Sequence, residues 1–318
     1  KRAEVAFNKN NIKDLTKVTN IFVPKIINKR INKIFADGHI EGEFIIPFDE
    51  DGNIGNDYGF SGKVINASIN ITKEFQIKNL TTEINHTKNN TANLFNIKIK
   101  KGSLLDFDLS DSVLKLKREN KEIEVKSSLS TSGDFDFNKI KKIAAIINFN
   151  VSNLRDFKGK SNLKTNIDFK INRKYKIKNL AYSIDGKIPY SEINFEEKKI
   201  IKKYLPEYSD KITFKDLKIK LIKDKINDTV EINGFIKTNN EFDRFDLNLI
   251  HDSNKRNFKI SGKADLTNSQ INISQLNYIK DSGEKSEISF NLNFIPNKYF
   301  HVSEAIFLSD KTKINILE

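Results

Sequence analysis

The feature that most constrains this chain is the alternation of apolar and polar side chains in short segments along its length. In "EISFNLNFI" (287–295), Ile288, Phe290, Leu292 and Phe294 alternate with polar residues. The same pattern occurs in "GEFIIPF", "GDFDF", "NIDFKI", "FDLNLI" and "NFKISGKADL". Successive side chains of a strand point to opposite faces, so each segment predicts a strand with one apolar and one polar face.

Turn signals separate these segments. In the last third of the chain, "DSNK", "TNS", "DSGE", "PNK" and "SDKT" follow one another every 12 to 16 residues, which is the spacing of an antiparallel meander. Counting all alternating segments gives about 20 strands, and a sheet of that size curls rather than staying flat. The predicted fold is therefore mainly β. It is one segment, 1–318, of an elongated, curled antiparallel sheet that forms a repeating groove, with one or two short helices.

Two stretches have a helical pattern. In "PKIINKRINKIFADG" (24–38), Ile27, Ile31 and Ile34 share a face, with a proline at the start and a glycine at the end. In "FEEKKIIKKYLPE" (195–207), acidic residues come first and Pro206 ends the pattern. We expect a short entry helix at 24–38 and a short inserted helix at 195–207, each capping or plugging the sheet.

A repeat links distant parts of the chain. The segments "KEFQIKNLTTEIN" (73–85) and "RKYKIKNLAYSID" (173–185) align without a gap, and "ITFKDL" (212–217) and "INISQL" (271–276) are looser copies. In a regular strand Leu80 would face away from Phe75 and Ile77, so the pattern predicts a β-bulge at Asn79. A Gly-Lys pair also recurs inside strand patterns, where glycine marks a bend, a bulge or a close backbone approach.

Composition argues against several functional classes. The net charge is +13, but 48 of the 55 basic residues are Lys and they are scattered along the strands, whereas base and phosphate recognition favours Arg. Cysteine is absent, and the four His form no metal-binding pair, so each is interpreted as a surface or turn residue. Carboxylates cluster at 49–57 and 106–112 without the order of a calcium loop. We expect no enzymatic activity, no catalytic residue, no cofactor, no metal and no nucleic-acid partner.

The copies "FQIKNL" and "YKIKNL", the Gly-Lys strands and the entry "PKIINKRINKIFADGHIEGEFIIPF" resemble the AsmA-like superfamily, in particular the YhdP and TamB group of bacterial envelope proteins. The resemblance runs from Pro24 to Glu318. It implies a periplasmic segment of a lipid-transport protein that is anchored to the inner membrane by a helix outside this chain. It also implies phospholipid as cargo, carriage from the inner to the outer membrane in outer-membrane biogenesis, and outer-membrane partner proteins.

A phospholipid carrier must shield two acyl chains from water, which at about 0.8 kcal/mol per CH₂ is worth roughly 25 kcal/mol for two 16-carbon tails. Apolar rows without polar contacts supply such a surface. The expected groove lining consists of Phe44, Ile46, Phe75, Ile77, Phe107, Leu109, Phe135, Phe137, Ile167, Phe169, Tyr175, Ile177, Phe245, Leu247, Leu249, Ile288, Phe290, Leu292 and Phe294. Two alternatives stay open: a self-contained β-sandwich or adhesin-like module whose sheets cover each other, and a basic polyanion-binding domain.

Overall fold

The computed structural model describes residues 1–318 except 15–32, 54, 56, 72–74, 89–91, 120–121, 147–154, 175, 195–198, 210, 225–226, 238, 240, 253–256, 296–298 and 318. The fold is mainly β, and seventeen strands are assigned to a long antiparallel sheet. The predicted class and the antiparallel meander are thereby confirmed. The chain divides into two compact units: unit 1 is Lys1–Gly133 with Lys164–Tyr182, and unit 2 is Asp134–Leu163 with Ser183–Glu318.

In unit 1, consecutive strands pair antiparallel from β1 to β5, and β5 then pairs with β6 and β7 before β7 pairs with β8. The strands are β1 Arg2–Asn11, β2 Phe35–Pro47, β3 Gly59–Asn70, β4 Gln76–Lys88, β5 Ala92–Leu104, β6 Phe107–Asp108, β7 Val113–Glu119 and β8 Glu122–Asp136. The last three residues of β8 belong to unit 2, and two longer strands, β9 Arg155–Ile171 and β10 Ile177–Asn194, also contribute residues to both units.

In unit 2 the paired order is β11, β12, β13, β14, β17, β18 and β19. These strands are β11 Lys211–Lys223, β12 Asn227–Lys237, β13 Asp243–Asp252, β14 Asn257–Asp265, β17 Ser286–Ile295, β18 Tyr299–Ser309 and β19 Lys313–Leu317. A separate hairpin of β15 Ile271–Ile273 and β16 Tyr278–Lys280 lies between β14 and β17 in sequence.

Helices are short. The predicted entry helix 24–38 falls mostly outside the described residues, and its last four residues belong to β2. The predicted helix 195–207 contains α2, Lys199–Tyr204. One helix was not predicted: α1, Phe137–Ile146, begins where "GDFDF" was interpreted as strand. Asp136 caps it, because its Oδ1 accepts a hydrogen bond of 2.8 Å from the Lys139 backbone N–H.

The repeat is a repeated β-bulge. Asn79, Asn179 and Asp216 hold the same position in three copies, and all three adopt left-handed backbone angles, with φ of 52°, 53° and 52°. The strand register shifts between Lys78 and Thr81 as it does in the copy on β11. The bulge predicted at Asn79 is confirmed, and it places Leu80 beside Ile77 in one apolar cluster. In the fourth copy, "INISQL", β15 instead runs into a 3-10 turn, η1, Ser274–Leu276.

At two of these bulges, a glycine on the neighbouring strand leaves space for the leucine that follows the bulge. Leu80 and Leu217 are both buried. A Cβ on Gly102 would lie 3.2 Å from a methyl group of Leu80, and one on Gly234 would lie 2.9 Å from a methyl group of Leu217. The leucine therefore fills the space that the glycine leaves on the neighbouring strand, and the two residues fix the strand pairing at that point.

Substitution of Asn79 tests the bulge. Asn79→Val forces a β-branched residue into the left-handed region and should lower the free energy of unfolding by about 1–2 kcal/mol. Asn79→Gly, which has no Cβ to strain, should change it by less than about 0.5 kcal/mol. Urea unfolding measures both, with Lys78→Val on the exposed neighbouring residue as the control. Equal losses for Val and Gly at position 79 would contradict a role for the backbone angle.

The Gly-Lys motif has a related cause. Gly262 pairs with Phe290 on β17, and a Cβ at Gly262 would come within 2.4 Å of the Phe290 ring. A Cβ at Gly62 would likewise meet the ring of Phe60, at 2.5 Å. The sequence predicted a bend, a bulge or a close backbone approach at such glycines, and in both strands a phenylalanine ring occupies the space that a Cβ would need.

Candidate functional site

The apolar face of unit 2 is built from four rows of side chains that cross the sheet. Paired residues on neighbouring antiparallel strands project to the same side, so the register defines each row. Row 1 contains Phe245, Ala264, Ile288, Phe307 and Ile314; row 2 contains Ile219, Ile232, Leu247, Gly262, Phe290, Ala305 and Ile316; row 3 contains Leu221, Val230, Leu249, Ile260, Leu292 and Val302; row 4 contains Lys223, Asp228, His251, Phe258, Phe294 and Phe300. Rows 1 to 3 contain no polar side chain.

The apolar face of unit 1 follows the same rule. One row contains Val5, Phe44, Phe60, His86, Phe95, Leu116 and Val125, and the next contains Phe7, Gly42, Gly62, Ile84, Ile97, Leu114 and Ser127. The paired glycines of the second row leave room for a cluster of three rings. Phe44 and Phe60 have centroids 4.9 Å apart, and Phe7 lies 5.8 Å from Phe44. Toward one end, Ile12, Val64, Ala67 and Leu80 form a buried cluster.

Part of this apolar surface is accessible. The β15–β16 hairpin packs on row 1 at one point, where the rings of Tyr278 and Phe307 meet edge-on at 5.8 Å and Phe307 is only 8% exposed. Phe300 and Ile316 are 67% and 57% exposed, and Phe44 in unit 1 is 39% exposed. Exposed apolar patches of this kind mark interaction or ligand-binding surfaces.

The opposite faces are polar. In unit 1 that face carries ion pairs such as Lys100–Glu83 at 3.2 Å and Lys126–Glu124 at 3.1 Å. In unit 2 it holds a depression of about 640 Å³ whose lining includes the Lys263–Glu287 pair, 2.8 Å apart. Since fixed charges line this depression, it does not suit an acyl chain.

Most of the predicted lining residues lie on strands, but they are not equivalent. Seven lie on the apolar face of unit 2: Phe245, Leu247, Leu249, Ile288, Phe290, Leu292 and Phe294. In unit 1, Phe44 and Ile46 lie on the apolar face and Ile77 packs against its buried cluster. Ile167 and Phe169 occupy partly buried positions of β9.

The remaining predicted residues are placed differently. Phe75, Leu109 and Phe135 are buried, so each is packed by this chain. Phe107 is partly buried in the two-residue strand β6. Ile177, at the start of β10, is 59% exposed. Phe137 is the first residue of α1 rather than a strand residue, and Tyr175 lies outside the described residues.

Sequence reasoning missed the two histidines of these faces. His86 was interpreted as a surface or turn residue, yet it is buried and stacks on Phe95 with ring centroids 4.2 Å apart. His251 stacks on Phe258 at 4.3 Å. In both segments the histidine is in phase with the apolar residues of its strand ("TEINH" and "LNLIH"), and that phase was the available signal.

A separate polar cluster in unit 2 surrounds Glu192. This side chain is 8% exposed; it forms ion pairs with Lys211 at 2.7 Å and Lys158 at 3.0 Å and accepts a hydrogen bond from the Tyr190 hydroxyl. These hydrogen bonds, the one from Lys211 first, lower the pKa of Glu192 from 4.5 to about 2. Both lysines are more than half exposed, so water screens these ion pairs. The ion pairs join one residue from each of β9, β10 and β11, and we interpret the cluster as a structural contact between these strands.

The lowered pKa of Glu192 predicts a loss of stability in acid. The folded-state pKa lies below the unfolded one, so the contribution of Glu192 is complete above pH 4.5 and is lost as the pH falls to about 2. We expect the free energy of unfolding to drop by about 1–2 kcal/mol more over this window in the native chain than in Glu192→Gln. Urea titrations at several pH values measure the difference, with the exposed Glu50→Gln as control. Identical pH dependence of the native chain and Glu192→Gln would refute the assignment.

Within the described residues no group of three or more His, Cys, Asp or Glu side chains is arranged to hold a metal ion. None of the described helices combines the length and apolar character that crossing a bilayer requires. Comparison of the chain with protein-family models, with curated proteins and with solved structures finds no match.

Proposed function

We propose that this chain is a non-enzymatic segment of a periplasmic AsmA-like protein that shields phospholipid acyl chains during transport from the inner to the outer membrane. The full-length protein would be held at the inner membrane by an anchor outside this chain. The observation that carries the proposal is the set of apolar rows in unit 2, three of which contain no polar side chain and which include the exposed side chains of Phe300 and Ile316.

An acyl chain is the occupant that such rows suit. Hydrocarbon needs apolar contact and no hydrogen bond, and rows 1 to 3 offer only aliphatic and phenylalanine side chains and one glycine, Gly262. Covering two 16-carbon tails is worth roughly 25 kcal/mol relative to water. A protein partner would also bring backbone and polar side-chain groups, for which these rows supply no hydrogen-bonding side chain.

Lipid analysis tests the proposal. The chain is expressed in a bacterial periplasm, purified without detergent, extracted with organic solvent and examined by mass spectrometry. We expect phospholipid in roughly stoichiometric amount, and we expect vesicles containing a fluorescent phospholipid to reload the extracted protein.

Absence of lipid from the purified chain, together with failure to reload, would refute the proposal and favour a self-contained β-sandwich module. DNA or heparin binding that weakens steeply with salt would instead favour the polyanion-binding alternative.

A further inference from the structure

Row 4 of the apolar face of unit 2 begins with three polar side chains from neighbouring strands. Lys223 Nζ lies 2.8 Å from Asp228 Oδ1, and His251 Nδ1 lies 3.1 Å from Asp228 Oδ2. Their side chains are between 24% and 31% exposed, so all three are largely withdrawn from water. Placing an ion pair on an otherwise apolar face costs desolvation energy, which isolated pairs rarely repay.

The rest of row 4 is aromatic. The His251 ring stacks on Phe258 at 4.3 Å, and Phe258 stacks on Phe294 at 4.7 Å with their planes 10° apart. The polar cluster therefore borders the apolar rows directly, through a stacked ring system. A side chain in row 4 is close to the strand end, since His251 is the penultimate residue of β13.

The apolar rows are long enough for a lipid tail. Phe245 of row 1 and His251 of row 4 lie on β13, six residues apart. At about 3.4 Å per residue the rows extend roughly 20 Å along the strand. One leaflet of a bilayer contributes half of a hydrocarbon core of about 30 Å, or about 15 Å, so an acyl chain laid along the strands from row 4 would end near row 2.

A similar arrangement occurs in unit 1. His86 stacks on Phe95, and Lys88 Nζ lies 4.6 Å above the ring of Tyr58, which itself lies 5.5 Å from His86. Here too a histidine and a lysine lie near the end of a strand whose other apolar side chains face the same way. The side chain that His86 contacts, at 3.3 Å, is the amide of Asn93 rather than a carboxylate.

We infer that Lys223, Asp228 and His251 form a headgroup site for a zwitterionic phospholipid whose tails lie on the neighbouring apolar rows. The inference rests on the proposed function and deepens it. Lys223 and Asp228 carry opposite charges side by side, and so do the phosphate and the amine of phosphatidylethanolamine. The lysine ammonium attracts the phosphate, and the Asp228 carboxylate accepts hydrogen bonds from the amine. An anionic headgroup would leave Asp228 facing like charge.

A competition between lipids tests the site. The delipidated chain is incubated with vesicles that contain equal amounts of dioleoylphosphatidylethanolamine and dioleoylglycerol, recovered, and analysed for both lipids. The tails are identical, so the ratio reports the headgroup alone. We expect the native chain to prefer the phospholipid by about fivefold, as one partly desolvated ion pair provides. Lys223→Met removes the charge that attracts the phosphate and should reduce the ratio toward one while dioleoylglycerol still binds.

The control is Lys220→Met, which removes an exposed lysine of β11 on the opposite face and should keep the native ratio. If both lipids bind and Lys223→Met keeps the native preference, the headgroup site is refuted while the proposed function stands. If neither lipid binds the native chain, the proposed function itself fails. Displacement of the phospholipid by millimolar inorganic phosphate would overturn the assignment to a lipid headgroup.

Discussion

Lys280→Met is expected to lower the free energy of unfolding of unit 2 by about 3 kcal/mol, the largest stability effect that we predict. Lys280 is fully buried, and its Nζ donates to the backbone carbonyls of Thr267, Ser269 and Asp281 at 3.0, 2.8 and 2.9 Å. Burial lowers the pKa of this ammonium group. Methionine matches its length but donates nothing, so three carbonyl oxygens lose their donor.

The effect should spread beyond one side chain, because Lys280 holds together the segment between β14 and β17. Ser269 Oγ donates to the buried Asp243 at 3.1 Å, and the Asn268 backbone N–H donates to the same carboxylate at 3.2 Å. For a unit of this size, 3 kcal/mol corresponds to a fall in Tm of about 6–12 °C, measurable by circular dichroism. The exposed Lys285→Met is the matched control. A Tm unchanged by Lys280→Met would show that the three hydrogen bonds contribute nothing.

Leu247→Asp is expected to reduce bound phospholipid at least tenfold. Leu247 lies in row 2 between Ile232 and Gly262, at the centre of the apolar face of unit 2. A carboxylate there must either lose its hydration under an acyl chain or exclude the chain, and both outcomes cost more than the 1.4 kcal/mol that a factor of ten requires. The amount of lipid in the purified variant, relative to protein, gives the result.

The same variant separates an accessible face from a packed core. On an accessible face, Leu247→Asp should lower the stability of the lipid-free chain by about 1–2 kcal/mol, whereas a charge in a packed core would cost at least the 2–5 kcal/mol of a large-to-small substitution. Asn248→Asp, one residue along on the polar face, should retain native lipid content. A variant that unfolds outright would argue for a covered face and against the lipid account.

The strands, the turns and the bulge could be predicted from local patterns in the sequence. Asn79 could be predicted because a strand with Phe75, Ile77 and Leu80 on one face needs an extra residue. The copy at 271–276 has the same apolar spacing, but β15 is only three residues long and the chain enters a 3-10 turn, with Asn277 taking the left-handed angle. The repeat pattern therefore predicts which side chains share a face, but it does not predict how many residues of the strand pair with a neighbour.

Two features could not be predicted without knowing which residues pair on strands that are distant in sequence. The stacking of Phe290 over Gly262 depends on which residues of β14 and β17 pair, and no local pattern states this. The Lys223–Asp228–His251 cluster joins β11, β12 and β13 in the same way. The missed helix α1 was different, because the Asp136 cap and the period of Phe137, Ile140 and Ile143 were local signals. The strand predicted from the alternation in "GDFDF" was one residue too long, because Phe137 begins α1.

The most direct test of the central claim is photo-cross-linking along β17. A photoreactive amino acid replaces each residue from 288 to 294 in turn, the chain is irradiated in bacterial cells, and adducts are identified by mass. The account predicts phospholipid adducts at positions 288, 290, 292 and 294 and none at 289, 291 and 293. Adducts of positions 290 and 292 with other segments of the same polypeptide, and no lipid at any position, would contradict it.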